Sequence, residues 1–275
     1  MKAASFDYVA PSTIAAALDA LAGSEDGRVL AGGQSLTPML NLRLAMPSLL
    51  VDIGGIAELR RIEDASDHHV IGAMVTHAAL EDGLHRVADN GMLAAVAHGV
   101  AYRAVRNRGT LCGSLAHADP AADWPSALTA LGAGVLIAGS GGRREVDVRA
   151  FLRGAFATAL EHGDMITGVA IPKLSSAARW GYYKICRKTG EFPDAIGAVV
   201  IDPPRRVARI VMGALDGPPL LLEGLAAAVA EAGAAAASAG KVTEAVAAAA
   251  PDLDPIGLRL HAVAVRRALA QVIGT

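Results

Sequence analysis

Two short turns that combine glycine with hydroxyl side chains constrain the fold of this chain most strongly. The first is AGGQS at residues 31–35, and the second is TLCGS at residues 110–114. Glycine lets another group approach the main chain closely, and successive N–H groups in such a turn form a concave site for an anion. If the fold brings the two turns together, they suit a pyrophosphate that is contacted from both sides. From the residues alone, each stretch also fits an ordinary tight turn.

Neither turn matches the common phosphate-binding motifs. The chain has no G-x-x-x-x-G-K-[ST] sequence, which disfavours a P-loop nucleotidase. Residues 31–36 do not fit G-x-G-x-x-G, and no further glycine follows at the required spacing. Spacing alone therefore does not identify the ligand.

The first 55 residues read as strand, helix, strand, helix and strand, which right-handed crossovers would join into a small parallel sheet. Ser12 is the expected N-cap of the first helix, and Gly23 lies just past its end. Ser35 is the expected N-cap of the second helix. That helix is predicted to continue to about Leu44, with Pro38 in its first turn.

The rest of the chain mixes helices and strands. The predicted elements are helices at residues 76–84 and 90–105, a hairpin at 134–148 that turns at 140–142, and a strand at 164–172. Beyond Pro172, three strands predict an antiparallel meander with DPPRR as one loop. Alanine-rich helices then close over that sheet.

Composition excludes several classes of protein. The net charge of −2 gives no reason to expect nucleic acid or an anionic membrane as a partner. No apolar run reaches the roughly 18 residues of a membrane span. The N-terminus lacks an apolar signal core, so we expect a cytoplasmic protein. The two cysteines, Cys112 and Cys186, are too few for an iron–sulfur cluster or a cysteine-rich zinc site.

In their wider context, the two turns resemble a known family. AGGQSLTPMLNLRL…LVDI followed by VRNRGTLCGSLAHADPAADWP closely resembles the FAD-binding medium subunit of the molybdenum hydroxylases. That family includes carbon monoxide dehydrogenase, quinoline oxidoreductase and xanthine dehydrogenase relatives. The resemblance runs along almost the whole chain: YKICRK fits the start of the family's C-terminal domain, and AVAVRRAL fits its closing helix.

The resemblance implies an α+β fold. A vanillyl-alcohol-oxidase-type FAD-binding domain is expected to consist of two α+β subdomains, at residues 1–56 and 57–175. A C-terminal medium-subunit domain, at residues 176–275, is expected to contain a three-stranded antiparallel sheet and helices.

The resemblance also implies a place in a larger enzyme. In the family, a large subunit carries molybdopterin and oxidises the substrate, and a small subunit carries two [2Fe–2S] clusters. The medium subunit passes electrons from those clusters through FAD to an external acceptor. The complex is expected to be a dimer of heterotrimers, a heterohexamer. The alternatives are a stand-alone flavin oxidoreductase that acts on its own substrate, and an assembly protein that has kept the fold.

By resemblance, the FAD site is built mainly from the two turns. The first turn and its neighbours supply Leu30, Ala31, Gly32, Gly33, Gln34, Ser35, Leu36 and Thr37. The second turn supplies Thr110, Leu111, Cys112, Gly113 and Ser114. Their backbone amides and hydroxyl groups are assigned to the pyrophosphate. No catalytic residue and no metal ligand is expected on this chain.

Further residues match positions at which the family approaches the cofactor. Asp123 matches an aspartate on the ribose side of FAD, and a carboxylate suits sugar hydroxyls. Lys184 matches a lysine near the flavin, where a cation would stabilise negative charge on the reduced ring. The alternative for Lys184 is an exposed strand lysine. Ile166 matches an apolar position beside the isoalloxazine, with core packing as the alternative. His117 and Asp119 either touch the cofactor or cap the following helix.

At Cys112 the chain departs from the family, which usually has glycine there. A positive φ at this position would cost cysteine about 1–2 kcal/mol. Alternatively, the position tolerates a side chain, and Gly113 makes the close approach. The thiol is expected to be a small inert filler rather than a reactive group.

Basic side chains near the turns have structural interpretations as well. Arg103, Arg106 and Arg108 flank the second turn and are expected at the surface or at an interface, with phosphate binding as the alternative. His68 and His69 are expected to face solvent rather than to bind a metal.

Overall fold

A computed structural model of the chain describes residues 2–83 and 91–273. The strands are β1 (Asp7–Val9), β2 (Arg28–Leu30), β3 (Leu49–Asp52), β4 (Ile62–Asp64), β5 (His68–Gly72), β6 (Gly134–Gly139), β7 (Gly142–Asp147), β8 (Leu152–Gly154), β9 (Ala157–Thr158), β10 (Met165–Pro172), β11 (Arg179–Ile185), β12 (Ala195–Asp202), β13 (Val207–Gly213) and β14 (Leu220–Leu221). The helices are α1 (Ile14–Ala22), α2 (Leu36–Asn41), α3 (His77–Glu81), α4 (Met92–Gly99), α5 (Arg103–Arg106), α6 (Leu111–His117), α7 (Asp123–Leu131), α8 (Val148–Phe151), α9 (Glu223–Ala232), α10 (Ala239–Ala249) and α11 (Pro255–Ile273). Across these two ranges, no helix combines the length and the apolar character that a membrane crossing requires.

The N-terminal strands form a parallel sheet in the order β1-β3-β2, which confirms the predicted parallel unit. Thr13 rather than Ser12 is the N-cap of α1, so the predicted cap was wrong by one residue. Thr13 has extended backbone angles, and its hydroxyl accepts a hydrogen bond from the Ala16 amide at 3.2 Å. Gly23 ends the helix, as predicted.

The helix after the first turn is shorter than predicted. It ends at Asn41 rather than Leu44, because Arg43 adopts a left-handed conformation with a φ of +56° that a helix does not accommodate. Pro38 lies in the first turn, as predicted. Ser35 occupies the N-cap position, but its hydroxyl makes no capping hydrogen bond.

The middle of the chain forms an antiparallel sheet in the order β4-β5-β10-β6-β7. β6 and β7 make the predicted hairpin. The helix predicted at 90–105 is interrupted, because α4 ends at Gly99 and Ala101 has a φ of +44° before α5 begins. Leu84 and Asn90, which are end residues of the two predicted helices, lie outside the described residues.

The C-terminal sheet contains the predicted antiparallel meander of β11, β12 and β13. A fourth, short strand, β14, pairs with β13 and extends the expected three strands. The predicted helices α9, α10 and α11 follow, and α11 packs against β11 and β12. On the other side of the same sheet lies α7, every residue of which is buried.

One hydrophobic core extends from the five-stranded sheet to the C-terminal sheet. Alternate residues of a strand point to opposite faces. On β12, Ala198 and Val200 therefore join the core that contains Trp124 of α7, whereas Val199 joins a second core with the C-terminal helices. The C-terminal sheet thus lies between α7 and those helices, and it fixes the position of α7.

Candidate functional site

The first turn depends on a glycine with a left-handed backbone. Gly33 has a φ of +72°, a conformation that residues with a side chain rarely adopt. A Cβ atom on Gly33 would also lie 2.9 Å from the Thr37 hydroxyl oxygen. The Thr37 amide donates to the Gly33 carbonyl at 3.1 Å, and the Gln34 side-chain amide donates to the Gly32 carbonyl at 3.3 Å. These bonds fold the turn onto the start of α2.

The second turn is the N-terminus of α6. Thr110 is the N-cap, and its hydroxyl accepts a hydrogen bond from the Gly113 amide at 3.0 Å. Its O–H proton is still available to an anion. The Cys112 amide lies in the first turn of the helix, where N–H groups have no intrahelical partner and carry a positive partial charge. Leu111 is fully buried beside the β-bridge between Thr110 and Thr76. The second turn therefore contributes the positively polarised N-terminus of α6.

Cys112 is buried inside α6. It is not among the described residues with a positive φ, so the alternative of a strained cysteine was wrong and the position tolerates a side chain. Burial raises the pKa of the Cys112 thiol to about 12, which keeps the thiol protonated and unreactive at neutral pH. The burial supports the interpretation of Cys112 as an inert filler.

The two turns lie directly against each other. A Cβ atom on Gly32 would overlap the Arg108 carbonyl and would lie 2.9 Å from the Gly109 Cα, so only glycine permits this approach. A Cβ atom on Gly113 would lie 3.9 Å from the Ala31 Cβ. The Arg108 side chain itself is exposed, as expected. The fold therefore brings the two turns together, as a shared ligand requires.

Asp123 and Lys184 form a buried ion pair. The Lys184 Nζ lies 3.0 Å from the Asp123 Oδ1, and the Tyr182 hydroxyl donates to the same oxygen at 2.7 Å. The Lys184 Nζ also donates to the Gly99 carbonyl at 2.8 Å. The Lys184 side chain is only 10% exposed, so the alternative of an exposed strand lysine was wrong. Burial raises the pKa of the Asp123 carboxyl, and the Lys184 charge and the Tyr182 hydrogen bond oppose that rise.

The remaining predicted contact residues lie in three different settings. Ile166 is buried on β10 and pairs with Ile137 beside an irregularity in the strand register. The His117 ring, at the end of α6, packs on the Phe156 ring with 5.1 Å between their centres. The Asp119 carboxylate accepts a hydrogen bond from the Ala121 amide at 2.9 Å. The next helix, α7, has no side-chain cap, so the interpretation of His117 or Asp119 as its cap was wrong.

Arg106 is buried, against the expectation of a surface position. Its guanidinium binds the Glu81 carboxylate with hydrogen bonds of 2.7 and 3.0 Å, and it donates to the carbonyls of Val100 and Ala101. These charges and hydrogen bonds lower the pKa of the Glu81 carboxyl to about 2. Arg103 is half-exposed, as expected, and also pairs with Glu81. The two arginines therefore fix the link between α4 and α5.

His69 is also buried, so the expectation that it faces solvent was wrong. It lies on β5, which is paired on both sides by β4 and β10. Its Nδ1 lies 3.2 Å from the Asp64 carboxylate. His68, by contrast, is partly exposed. In the part of the chain that the structure describes, no three His, Cys, Asp or Glu side chains are grouped to hold a metal ion.

Sequence reasoning missed several residues that touch the site. Tyr182 binds Asp123, and the signal for it was available: residues two apart on a strand share a face, and Tyr182 lies two residues before Lys184. His77 and Trp124 pack behind the second turn. They carry no motif, and tertiary packing alone brings them there.

Comparison with known proteins identifies similar chains. A family model described as the FAD binding domain in molybdopterin dehydrogenase matches residues 4–174. The medium subunit of nicotine 6-hydroxylase from Paenarthrobacter nicotinovorans is 38% identical over 201 residues, which are 73% of this chain and 70% of that subunit. The medium chain of carbon monoxide dehydrogenase from Hydrogenophaga pseudoflava is 38% identical over 198 residues, which are 71% of this chain and 69% of that chain.

Solved structures are similar over nearly the full length. A chain of the cyanide-inactivated Cu,Mo-CO dehydrogenase superposes with a TM-score of 0.90 at 31% identity, and the match covers 99% of each chain. A chain of quinoline 2-oxidoreductase from Pseudomonas putida 86 superposes with a TM-score of 0.87 at 31% identity, over 99% of this chain and 98% of that one.

Proposed function

Because the chain belongs to the family of FAD-binding domains in molybdopterin dehydrogenases, we propose that it is the electron-transfer subunit of a molybdenum hydroxylase complex. Family membership confirms the resemblance that the two turns indicated, and it makes the chain an FAD-binding medium subunit of an oxidoreductase. The finer proposal is the route: electrons pass from [2Fe–2S] clusters of a partner subunit through FAD to an external acceptor.

The observation that carries this proposal is the meeting of the two turns at Gly32 and Gly113. Bare main chain on one side and helix-terminal amides on the other make a cradle that fits a pyrophosphate. A side chain at Gly33 would strain that cradle and crowd Thr37. We assign to the cofactor the residues of both turns: Leu30, Ala31, Gly32, Gly33, Gln34, Ser35, Leu36, Thr37, Thr110, Leu111, Cys112, Gly113 and Ser114.

We assign the flavin end of the cofactor to the neighbourhood of Lys184 and Ile166, and we assign Asp123, which pairs with Lys184, to the ribose side of FAD. When bound, FAD supplies the redox chemistry, and the protein supplies orientation and electrostatics. The Lys184 ammonium directs two of its three protons to Asp123 and to the Gly99 carbonyl, which leaves one proton for the cofactor. The ion pair fixes that ammonium in place, so its charge reaches the cofactor at a defined position.

Partner subunits are the second part of the proposal, as a dimer of heterotrimers with a molybdopterin subunit and an iron–sulfur subunit. Relatives are named as subunits of complexes, among them a subunit of the 6-hydroxypseudooxynicotine dehydrogenase complex. Large apolar side chains are exposed on two neighbouring N-terminal segments: Phe6, Tyr8, Val9, Leu42, Leu44 and Met46. Contiguous exposed apolar surface is typical of interaction sites, and obligate interfaces bury roughly 2,000 Å² or more.

Co-expression with the large and small subunits tests the proposal. We expect one large complex on size-exclusion chromatography that contains FAD, molybdenum and iron, with FAD released by acid precipitation because no covalent attachment residue is matched. The isolated chain should oxidise no organic substrate. Substrate turnover by the isolated chain would overturn the proposed electron-transfer role and favour a stand-alone flavin oxidoreductase.

A further inference from the structure

A buried histidine lies behind the second turn. His77 is the first residue of α3, and its side chain belongs to the buried interior. The His77 amide donates to the Gly109 carbonyl at 2.9 Å. A Cβ atom on Gly109 would lie 2.9 Å from both the Cδ2 and the Nε2 of the His77 ring. The imidazole therefore fills the space directly behind the Gly109 main chain.

The same piece of main chain supports the first turn. Gly32 approaches Arg108 and Gly109 so closely that a Cβ atom on Gly32 would lie 2.9 Å from the Gly109 Cα. Gly109 is thus in contact with the His77 ring and with the first turn, and it leads into the second turn at Thr110. A displacement of the ring would therefore reach both turns through Gly109.

Trp124 fixes the orientation of the ring. Its Nε1–H donates to the His77 Nδ1 at 3.2 Å, and the two rings stack with 5.7 Å between centres and 28° between planes. An indole nitrogen is a donor only, so the Nδ1 must be unprotonated and the imidazole neutral. Burial, and then the Arg106 charge, lower the pKa of His77 to about 4, which agrees with a neutral ring.

We propose that His77 is a positioning residue for the cofactor site. Its neutral ring, held in place by Trp124, fixes the position of the Gly109 main chain. Through Gly109 it sets the spacing between the two turns. The inference rests on the proposed assignment of FAD to these turns. His77 lies outside both turn motifs in the sequence. In this proposal it acts through the main chain at Gly109 and does not touch the cofactor.

The test compares FAD affinity with stability in the full chain after FAD has been removed. His77→Ala removes the ring, and we expect the dissociation constant for FAD to rise about tenfold or more, because the main chain relaxes into the vacated space. His77→Phe restores a ring behind Gly109. We expect its FAD affinity to return to within about threefold of the wild type, although its melting temperature falls because the Trp124 N–H loses its acceptor.

His261→Ala is the matched control. His261 is equally buried, but it lies in α11 and bonds to the carbonyls of Gly257 and Ala214. This variant should lose melting temperature without losing FAD affinity. If His77→Ala does not fold, His77→Asn replaces it: its amide oxygen still accepts from Trp124, but it leaves space behind Gly109, so FAD affinity should also fall.

An unchanged FAD dissociation constant in the folded His77→Ala or His77→Asn chain would overturn the positioning role. An equal loss of affinity in His261→Ala would also overturn it, because the effect would then follow from stability alone. Failure of the proposed FAD site is recognised separately: the wild-type chain would bind no FAD, or Gly33→Val would bind it normally.

Discussion

At the scale of single residues, the shape of the candidate site depends on glycines at which a side chain cannot be added. Gly33 combines a left-handed φ with a neighbour, the Thr37 hydroxyl, in the space that a Cβ would need. Gly32 faces the Arg108 carbonyl at a separation that excludes any side chain. Both constraints act on the surface that we assign to the pyrophosphate.

Gly33→Val should therefore give a folded chain with little bound FAD. The branched side chain fills the cradle, and a positive φ strains it by about 1–2 kcal/mol. Flavin absorbance per mole of purified chain measures the loss. Gly142→Val is the matched control, because Gly142 also has a positive φ, of +91°, but no atom lies within 4 Å of a Cβ there. Full flavin occupancy in Gly33→Val would contradict the assignment of the first turn.

Lys184→Met should destabilise the chain strongly at neutral pH. It leaves the Asp123 carboxylate buried without its cation, and removing one partner of a buried pair costs about 3–5 kcal/mol. Lys173→Met is the matched control, because Lys173 pairs with Asp64, whose side chain is 71% exposed, and the loss of this pair should cost less than about 1 kcal/mol. Urea unfolding at neutral pH measures both. A similar loss of unfolding free energy in the two variants would contradict the structural importance of the buried pair.

The loss of stability caused by Lys184→Met should also depend on pH. Burial raises the pKa of Asp123 in the folded chain, and loss of the Lys184 charge raises it further. Between the unfolded and folded pKa values the folded chain binds more protons, so the free energy of unfolding falls as pH rises through that window. The deficit should therefore shrink in acid, where Asp123 is protonated. A deficit that stays constant from acid to neutral pH would show that Asp123 is not the group left unpaired.

At the scale of elements, α7 connects the site with the C-terminal sheet. Its first residue, Asp123, is bound by Lys184 of β11. At its other end, Arg209 of β13 donates to the carbonyls of Ala130 and Leu131, where a cation complements the helix dipole. The C-terminal sheet thus holds both ends of the helix that bears Asp123.

Elements with local signals were predictable from the sequence. The hairpin at 140–142 has a glycine pair at its turn, and the parallel N-terminal unit has caps and short apolar strands. The break at Ala101 has only a weak signal, since Gly99 lies at the end of α4 but the residue with the positive φ is an alanine. It depends on side-chain and tertiary contacts: the nearby Arg106 binds the carbonyls of Val100 and Ala101, and the distant Gly190 pairs with Val100.

The same distinction applies to the site. The two turns were predictable, because glycines and hydroxyls carry their chemistry in the residues themselves. The Asp123–Lys184 contact was not, because 60 residues of chain separate its partners and only the packing of α7 on β11 joins them. The burial of His69 likewise follows from pairing of β5 on both sides.

The contribution of His77 to the stability of the chain should fall as pH drops from about 6.5 to about 4, in opposition to the contribution of Asp123, whose pKa is raised by burial. His77 has a pKa lowered from 6.5 to about 4 in the folded chain, so in this window the unfolded chain binds the additional proton and unfolding becomes easier in acid. The full effect is about 3 kcal/mol. Glu81, with a pKa of about 2, acts at lower pH. Urea unfolding across this pH range should show that the free energy of unfolding falls more steeply toward acid in the wild type than in His77→Phe. The same pH dependence in both chains would contradict a neutral buried His77.

At the scale of the whole molecule, the FAD-binding part and the C-terminal part share a core. Trp124, on α7, belongs to the same hydrophobic cluster as Val200 and Val211 of the C-terminal sheet. The domain boundary at residue 175 stays a prediction. The shared core is relevant to it, because removing the residues after 175 would expose the face of α7 that packs on the C-terminal sheet.

A fragment of residues 1–175 should therefore be poorly soluble and should hold no FAD. It loses Lys184 and the apolar face that covers α7, although it keeps both turns. Sedimentation and flavin content of the fragment, beside the full chain prepared in the same way, measure this. A soluble fragment with bound FAD would contradict the dependence of the site on the C-terminal sheet.

The most direct test of the central claim is the reduction of bound flavin by the complex's own substrate under anaerobic conditions. With the molybdopterin and iron–sulfur subunits present, the flavin absorbance of this chain should bleach when substrate is added. With the large subunit omitted, or with Gly33→Val in this chain, no substrate-driven flavin bleaching should occur. Bleaching by substrate in the chain alone would contradict the claim that this chain relays electrons from a partner.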